Sequence, residues 1–268
     1  NERYLMLLNN DVEVSEGWLD PLLEEMEKDK QLAACQPKML QWDNKDRFEY
    51  AGASGGFIDS LGYPFCRGRI FNVQEKDKGQ YNNKIEIFWA SGACLFIRND
   101  LFRLAGGFDQ DYFAHMEEID LCWRLRNLGY RIACIPSSVI YHVGGGTLNK
   151  VSPGKTFLNF RNSLITLTKN DGSPLLLFKI LARLSLDGIA GMKFLFAGDV
   201  SHLFAVIRAH FAYYGMLSST LRKRKAMKVR NGFRFNRNRI LKGSIVLNFY
   251  LKGKKSFNDL GPGSFYQQ

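Results

Sequence analysis

The sequence lacks long apolar runs, paired cysteines and, in its second half, acidic residues. Its most apolar stretch is interrupted by Lys179, Arg183, Asp187 and Lys193, so it falls short of the roughly 18 uninterrupted apolar residues that a membrane-spanning helix needs. The five cysteines are scattered and form no C-x-x-C pair. That pattern predicts a reducing, cytoplasmic compartment. Together these absences argue against an integral membrane protein.

Acidic residues become scarce only after residue 150. Residues 1–150 hold 17 Lys and Arg against 22 Asp and Glu, whereas residues 151–268 hold 20 against 4, and the formal net charge is +11. Carboxylates can hold metal ions or transfer protons, while a basic segment attracts the phosphates of nucleic acid or anionic lipid. No RNP, zinc-finger or helix-turn-helix signature accompanies basic residues 221–239. We therefore expect no nucleic-acid partner, and a basic binding module without catalysis is the alternative function.

Apolar periodicity predicts strands that alternate with helices up to residue 142, which is typical of an α/β sheet with ligands at the carboxyl ends of its strands. The predicted strands lie at 4–8, 33–40, 85–90, 93–98, 131–135 and 139–142, and the predicted helices at 18–30, 99–106 and 113–129. Residues 42–83 are rich in turn residues and predict a long excursion with short strands. Because the chain enters a buried strand at Tyr4, we expect earlier strands of the sheet to be missing from it, and a processed or unusual terminus is the alternative.

Asn9-Asn10-Asp11 follows the first predicted strand, so Asp11 should lie at the ligand edge of the sheet. A carboxylate there can reach a divalent cation that bridges two phosphates. An Asx turn that merely closes the strand is the structural alternative.

Three carboxylates, Glu117, Glu118 and Asp120, fall in the first turn of the helix predicted at 113–129. The helix dipole lowers their pKa and crowding raises it, so one of them could act as a base near neutral pH. The structural alternative is the ordinary enrichment of acids at helix starts, with Asp120 paired to Arg124 at i,i+4.

Two further segments carry polar or aromatic residues at strand ends. His142 follows an apolar step and precedes three glycines, which would allow a ligand or backbone to approach closely. Trp89-Ala90-Ser91-Gly92 offers an aromatic side chain beside a small-residue turn. A structural histidine and a core tryptophan are the alternatives.

The order of these segments resembles glycosyltransferase family 2, and most of all its rhamnosyltransferase-like bacterial members. The resemblance covers roughly residues 1–170. It is carried by Leu-Leu-Asn-Asn-Asp-Val at 7–12, Trp-Ala-Ser-Gly-Ala-Cys-Leu at 89–95, Gly-Phe-Asp at 107–109, Phe-Ala-His-Met-Glu-Glu-Ile-Asp-Leu-Cys-Trp-Arg at 113–124, Gly-Tyr at 129–130 and Tyr-His-Val-Gly-Gly at 141–145.

This resemblance implies a GT-A fold, a Rossmann-like mixed sheet that here lacks its first βαβ units, in a catalytic domain over residues 1–170. It also implies an inverting transfer of a hexosyl or rhamnosyl group from a nucleotide-sugar to a saccharide or lipid-linked acceptor, in cell-surface polysaccharide synthesis. The family's first βαβ units hold the nucleobase and ribose, so we expect no complete donor site in this chain and a fragment that is inactive alone.

The resemblance also implies roles for individual residues. The family's Asp-x-Asp motif for Mg²⁺ or Mn²⁺ reads Asn9-Asn10-Asp11, so Asp11 keeps the metal role and Asn9 is a weaker ligand. The second carboxylate of the family's Glu-Asp pair, the base, falls on Glu118, with Glu in place of Asp. His142 matches a histidine that holds the metal in some relatives. The residues assigned to substrate binding are Asn9, Asn10, Trp89, Ser91, Gly92 and Asp120, with Glu117 as a second catalytic candidate.

The remaining residues, 171–268, are predicted to form a basic helical tail. In the stretch 175–196, Lys179, Arg183 and Asp187 make one polar stripe opposite an apolar face, which indicates an amphipathic helix. Arg222-Lys223-Arg224-Lys225 follows. We predict peripheral attachment to an anionic membrane surface, the inner face of the cell membrane, through residues 171–239. Packing of this helix on the catalytic domain is the alternative.

Overall fold

The computed structural model describes residues 2–143, 152–230 and 232–267 of the chain. In these ranges the strands are β1 (Tyr4–Leu8), β2 (Val12–Val14), β3 (Leu32–Gln41), β4 (Gly56–Asp59), β5 (Pro64–Cys66), β6 (Arg69–Ile70), β7 (Val73–Gln74), β8 (Ile85–Ile87), β9 (Cys94–Arg98), β10 (Arg131–His142) and β11 (Ile240–Leu241). The α-helices are α1 (Leu19–Lys28), α2 (Asn99–Ala105), α3 (Glu117–Asn127), α4 (Pro153–Asn170), α5 (Leu176–Phe196), α6 (Val200–Lys228) and α7 (Ile245–Tyr250).

The larger sheet has the order β1-β9-β3-β10-β2, and β8 also pairs with β10. Its central strands β3 and β10 are parallel, and its other pairings are antiparallel. The chain is therefore a mixed α/β protein, as the alternation of patterns predicts. Strand β10 joins the two short strands predicted on either side of Pro136. Its register against β3 shifts between Ile135 and Val139, so this proline, which has no N–H to donate, lies in a break in the ladder.

Different helices cover the two faces of this sheet. On one face α1 contributes Leu22 and Met26 to a buried cluster that includes Cys35. On the other face α3 and α4 build a larger cluster that includes Trp123 and Cys134. This division follows from the alternation of side chains along β3 and β10.

Strand β1 differs from its prediction as a central strand buried on both faces. It is only half-buried, and Leu8 is exposed. Among the described strands it pairs with β9 alone, in antiparallel orientation. Its position at one end of the described sheet leaves one flank without a backbone partner there. The predicted absence of earlier βαβ units stays a prediction.

The turn-rich segment and the end of the chain build a second sheet together, in the order β11-β4-β5-β6-β7. The rings of Phe257 and Phe265 pack in tilted orientations against Phe57, with centroids 4.9 and 5.4 Å from its own. The boundary at residue 170 stays a prediction. In the structure, side chains from both sides of it share one hydrophobic core, and residues 232–267 form a strand, a short helix and turns rather than a helical tail.

Helix α5 turns its polar stripe toward the protein interior, although polar stripes ordinarily face solvent. Arg183 and Asp187 are 2% and 0% exposed. Arg183 donates to the Ser163 hydroxyl at 2.6 Å, and Asp187 accepts from the Tyr63 hydroxyl at 3.0 Å. The stripe is buried because partners on α4 and beside the second sheet satisfy it. No helix within the described ranges combines the length and the apolarity needed to cross a bilayer.

Candidate active site

Asp11 and His142 meet at one edge of the larger sheet. His142 is the last residue of β10, and it pairs in register with Val12, which directly follows Asp11. Its Nε2 atom lies 3.1 Å from Asp11 Oδ1 and 3.4 Å from Asn9 Nδ2. The two residues to which the resemblance gives a metal role are therefore in contact, and their role in holding a metal stays a prediction. Asn10 is exposed in the turn between β1 and β2.

Glu49 is a further residue beside His142, and no pattern in the sequence predicted its position. It is 2% exposed, and its Oε1 atom lies 3.2 Å from His142 Nδ1. Its Oε2 atom accepts from the Ala51 amide, which fixes the carboxylate. Glu49 lies in the turn-rich segment after β3 and belongs to no motif, so only the fold brings it to His142.

Two carboxylates surround the imidazole of His142 and favour positive charge at this position. Burial disfavours the imidazolium, but the Glu49 and Asp11 carboxylates outweigh it, so the pKa of His142 is raised. Nδ1 faces Glu49 without a well-formed hydrogen bond among the described residues. A neutral tautomer with its proton on Nδ1 would turn the Nε2 lone pair toward Asp11, an arrangement typical of metal-bound histidines. No cluster of three or more His, Cys, Asp or Glu ligands is preformed among the described residues. The glycines at 144–146, expected to allow close approach of a ligand or backbone, lie outside the described residues.

Helix α3 begins at Glu117, four residues later than predicted, because the preceding loop is not helical. Phe113, His115 and Met116 have φ of 63°, 66° and 74°, positive values that cost free energy for non-glycine residues. The Asn162 side chain on α4 donates to three carbonyls of residues 112–115, at 2.8 to 3.0 Å. Helix α4 therefore holds the loop in its strained shape.

Glu118 lies beside the start of β9. A Cβ built on Gly92 would lie 3.9 Å from Glu118 Cβ, and the next residue, Ala93, accepts from the Asn9 amide at 3.0 Å. The base candidate and the Asp11–His142 pair thus border the same edge of the sheet. Burial, together with the negative charge of Glu117, raises the pKa of Glu118 to about 8. Burial raises the pKa of Glu117 as well, and its Oε2 atom is buried without a hydrogen-bond partner among the described residues.

The segment predicted to bind substrate at 89–92 is only partly available to a ligand. Trp89 is 3% exposed and donates its indole N–H to the Phe57 carbonyl at 2.9 Å. This placement contradicts a substrate contact by the indole, which belongs to the core instead. Ser91 is also buried, and its amide donates to Gln36 at 2.9 Å. Gly92, next to Glu118, stays a candidate for substrate contact.

Asp120 is fully buried, and this contradicts its predicted role in substrate binding. Its carboxylate accepts from Arg124, Lys169 and Asn170, at 2.8, 2.9 and 2.8 Å. Every one of these partners lies on α3 or α4, so Asp120 ties the two helices together.

A second carboxylate extends this ion-pair cluster to α6. Asp109 Oδ2 lies 2.6 Å from Lys169 Nζ, and its Oδ1 atom lies 2.5 Å from Lys223 Nζ. Lys223 also contacts Asp111 at 2.6 Å. Burial raises the pKa of Asp109, but the two lysines outweigh it and hold that pKa well below its usual range. We call these residues the ion-pair cluster: Asp109, Asp111, Asp120, Lys169 and Lys223. The cluster fixes the loop before α3.

Comparison with known proteins gives relatives over roughly half of the chain. No family model matches. The N-acetylglucosaminyl-diphospho-decaprenol L-rhamnosyltransferase of Mycobacterium tuberculosis is 28% identical over 146 residues, which are 52% of this chain and 46% of that protein. The rhamnosyltransferase WbbL of Escherichia coli K12 is 25% identical over 142 residues, 53% of each chain. The O-antigen biosynthesis protein RfbC of Myxococcus xanthus is 28% identical over 144 residues, 52% of this chain and 11% of that protein.

The chain thus spans about half, or less, of the length of these curated relatives. Among solved structures, GalNAc-T7 with UDP, GalNAc and Mn²⁺ superposes with a TM-score of 0.44 and 14% identity, over 62% of this chain and 31% of that one.

Proposed function

Because this chain is related in sequence to bacterial rhamnosyltransferases, as its motifs predicted, we propose that it carries the catalytic residues of an inverting glycosyltransferase with a GT-A fold. The proposed reaction moves a hexosyl or rhamnosyl group from a nucleotide-sugar to a saccharide or lipid-linked acceptor, in cytoplasmic steps of cell-surface polysaccharide synthesis. The observation that carries the proposal is the placement of Glu118 and of the Asp11–His142 pair at one edge of the sheet.

In the proposed mechanism Glu118 accepts the proton of an acceptor hydroxyl while that oxygen attacks the anomeric carbon. Attack from the face opposite the nucleotide breaks the bond to the diphosphate and inverts the centre in a single displacement. The raised pKa of Glu118 makes it a stronger base than an ordinary carboxylate. Asp11 and His142 would hold Mg²⁺ or Mn²⁺, which offsets the negative charge on the leaving diphosphate. Glu49 orients His142 for that role.

The test of this proposal is turnover of the full-length gene product against a panel of nucleotide-sugars, with released nucleoside diphosphate as the readout. Release that depends on an acceptor and on a divalent cation is the expected result. A protein that binds RNA through residues 221–239 and turns over none of the donors would favour the alternative, a basic binding module.

Removal of either proposed cation ligand should weaken metal binding and turnover together. We expect Asp11→Ala and His142→Ala each to lower Mn²⁺ affinity by at least about tenfold, since each removes one of two protein ligands. Titration of Mn²⁺ followed by electron paramagnetic resonance measures this directly. Asn10→Ala, in the same exposed turn, is the matched control and should bind Mn²⁺ normally. Unchanged Mn²⁺ affinity in Asp11→Ala would remove the cation role.

Glu49 should act through His142 rather than on the substrate. We expect Glu49→Leu to lower Mn²⁺ affinity by about 10- to 100-fold, the usual effect of losing the partner that orients a ligating histidine. Glu49→Gln keeps a hydrogen-bond acceptor and should lose less. The exposed Glu13→Gln serves as the control. Equal affinities in Glu49→Leu and Glu13→Gln would show that His142 needs no such support.

A further inference from the structure

Helices α5 and α6 present large apolar side chains outward, away from the rest of the protein. Their inward faces are occupied, because α5 buries Arg183 and Asp187 while α6 packs Ala205, Ala209 and Tyr213 toward α4 and α5. The exposed apolar residues, between 38% and 82% exposed, are Leu177, Phe178, Leu181, Ile189, Met192, Leu195 and Phe196 on α5 and Val200, Phe204, Ile207, Phe211, Tyr214 and Leu221 on α6. We call these residues the outer apolar face.

The outer apolar face extends along both helices. On α6 its members recur every three or four residues from Val200 to Tyr214, and Leu221 follows two turns later, so they lie in one stripe on the cylinder. On α5 it has two parts, from Leu177 to Leu181 and from Ile189 to Phe196, and a three-residue turn joins the second part to α6. With 29 residues α6 is about 43 Å long. Soluble monomers rarely expose so extended an apolar surface without a partner.

Exposed basic side chains border this face. Lys193 and Arg208 lie between its apolar members, and Arg222, Lys225 and Lys228 continue the same exposed side of α6 beyond Leu221. Asp199 is the one exposed acid within the described residues 172–230. Lysine and arginine can bury their aliphatic stems while the charged ends reach a polar boundary. A basic rim around an apolar stripe is the composition of helices that lie in a membrane interface.

Two of the four basic residues at 222–225 form contacts inside the protein. Lys223 belongs to the ion-pair cluster, and Arg224 donates to the Thr168 carbonyl at 2.9 Å and to the Asp171 carbonyl. Both therefore point inward. Attraction to a phosphate surface falls to the outward residues Arg222 and Lys225.

We propose that the α5–α6 hairpin docks the protein on an anionic lipid bilayer, with the outer apolar face in the interface and the basic rim on the lipid phosphates. Burial of the aromatic and aliphatic side chains supplies the apolar part of the binding, and the basic residues make it selective for anionic lipid. Lipid docking depends only on the exposure and charge of side chains on α5 and α6, so it is independent of the proposed glycosyl transfer.

The test is co-sedimentation of the full-length protein with vesicles of phosphatidylcholine alone and of phosphatidylcholine mixed with phosphatidylglycerol. We expect stronger binding to the anionic vesicles, and weaker binding to them at high salt. Phe196→Ser combined with Phe204→Ser should lower the partition coefficient at least about tenfold, since two exposed rings no longer enter the interface. Equal binding to neutral and anionic vesicles, or undiminished binding by this double variant, would overturn the proposal.

Two controls separate lipid docking from a general loss of exposed apolar surface and from self-association. Leu19→Ser with Leu23→Ser removes two exposed apolar side chains from α1, on the opposite face of the sheet, and should sediment like the unaltered protein. Light scattering of the lipid-free protein tests the competing occupant, a second copy of the chain. A stable dimer that Phe196→Ser with Phe204→Ser dissociates would assign the outer apolar face to self-association and overturn the lipid proposal.

A probe that keeps the apolar character of the face gives an independent reading. Phe196→Trp should shift its added indole emission to shorter wavelength when anionic vesicles are present, and lipids brominated on the upper acyl chain should quench it. Absence of both changes in a variant that still sediments would place the bound surface elsewhere and overturn the assignment to this hairpin.

Discussion

Replacement of Glu118 by glutamine is expected to lower turnover by at least about 100-fold, because an amide of nearly the same shape cannot accept the acceptor's proton. Donor binding and the free energy of unfolding should change little, since Glu118 lies at the helix start and takes no part in the ion-pair cluster. Glycosyl transfer, followed as released nucleoside diphosphate, gives turnover, and thermal unfolding checks the fold. Glu117→Gln is the matched control, one residue away on the same turn.

The pH dependence follows from the same residue. A base must be deprotonated to act, and the pKa of Glu118 is raised to about 8. Turnover should therefore rise as the pH passes through that region, well above the range of an ordinary glutamate. The rise should disappear from the residual activity of Glu118→Gln. Near-normal turnover in Glu118→Gln together with an inactive Glu117→Gln would transfer the role of base to Glu117.

Loss of the Asp120 carboxylate is expected to cost about 3–5 kcal/mol of unfolding free energy, the usual consequence of leaving buried charges without their partner. Lys169 and Arg124 both contact Asp120, and their side chains are 4% exposed. In Asp120→Ala they would remain charged in the interior. The midpoint of urea unfolding measures the effect. Glu24→Ala breaks the exposed pair with Lys28 and should cost less than about 0.5 kcal/mol.

Acid should act on the same cluster. Burial raises the pKa of Asp120, but Arg124 and Lys169 outweigh it and lower that pKa below its usual value. A lowered carboxylate pKa stabilises the fold above the unfolded-state value, near pH 4, and this contribution is lost as the pH falls through the folded-state value. In Asp120→Ala, the free energy of unfolding should fall less steeply as the pH drops below about 4. A cost under about 1 kcal/mol for Asp120→Ala would mean that the partners that remain, Asp109 for Lys169 and backbone carbonyls for Arg124, are enough to stabilise both charges.

The sequence predicts the parts of the site that lie at the ends of strands. Asn9-Asn10-Asp11 and His142 each follow an apolar run, and strand ends at one edge of a sheet meet in space. The structure agrees with this expectation, because Asp11 and His142 lie 3.1 Å apart. The late start of α3 escaped prediction because backbone with positive φ at Phe113, His115 and Met116 is stabilised by Asn162, far along the chain.

Other features depend on tertiary contacts that no local pattern encodes. Glu49 reaches His142 only because β3 and its turn run beside β10. The apolar and polar stripes of α5 are visible in the sequence, but periodicity does not tell which stripe faces inward. Ser163 and Tyr63 decide that, since they offer hydrogen-bond partners to Arg183 and Asp187.

Helix α6 carries part of the outer apolar face and also Lys223, which contacts the loop before Glu118. If lipid contact shifts α6, binding to the bilayer and binding of the nucleotide-sugar donor are coupled. Thermodynamic linkage makes that coupling free energy reciprocal. Whatever factor the bilayer applies to donor affinity, the donor must apply to bilayer affinity. If the chain both binds a nucleotide-sugar and docks on lipid as proposed, the fraction of the protein at the membrane would follow the supply of nucleotide-sugar.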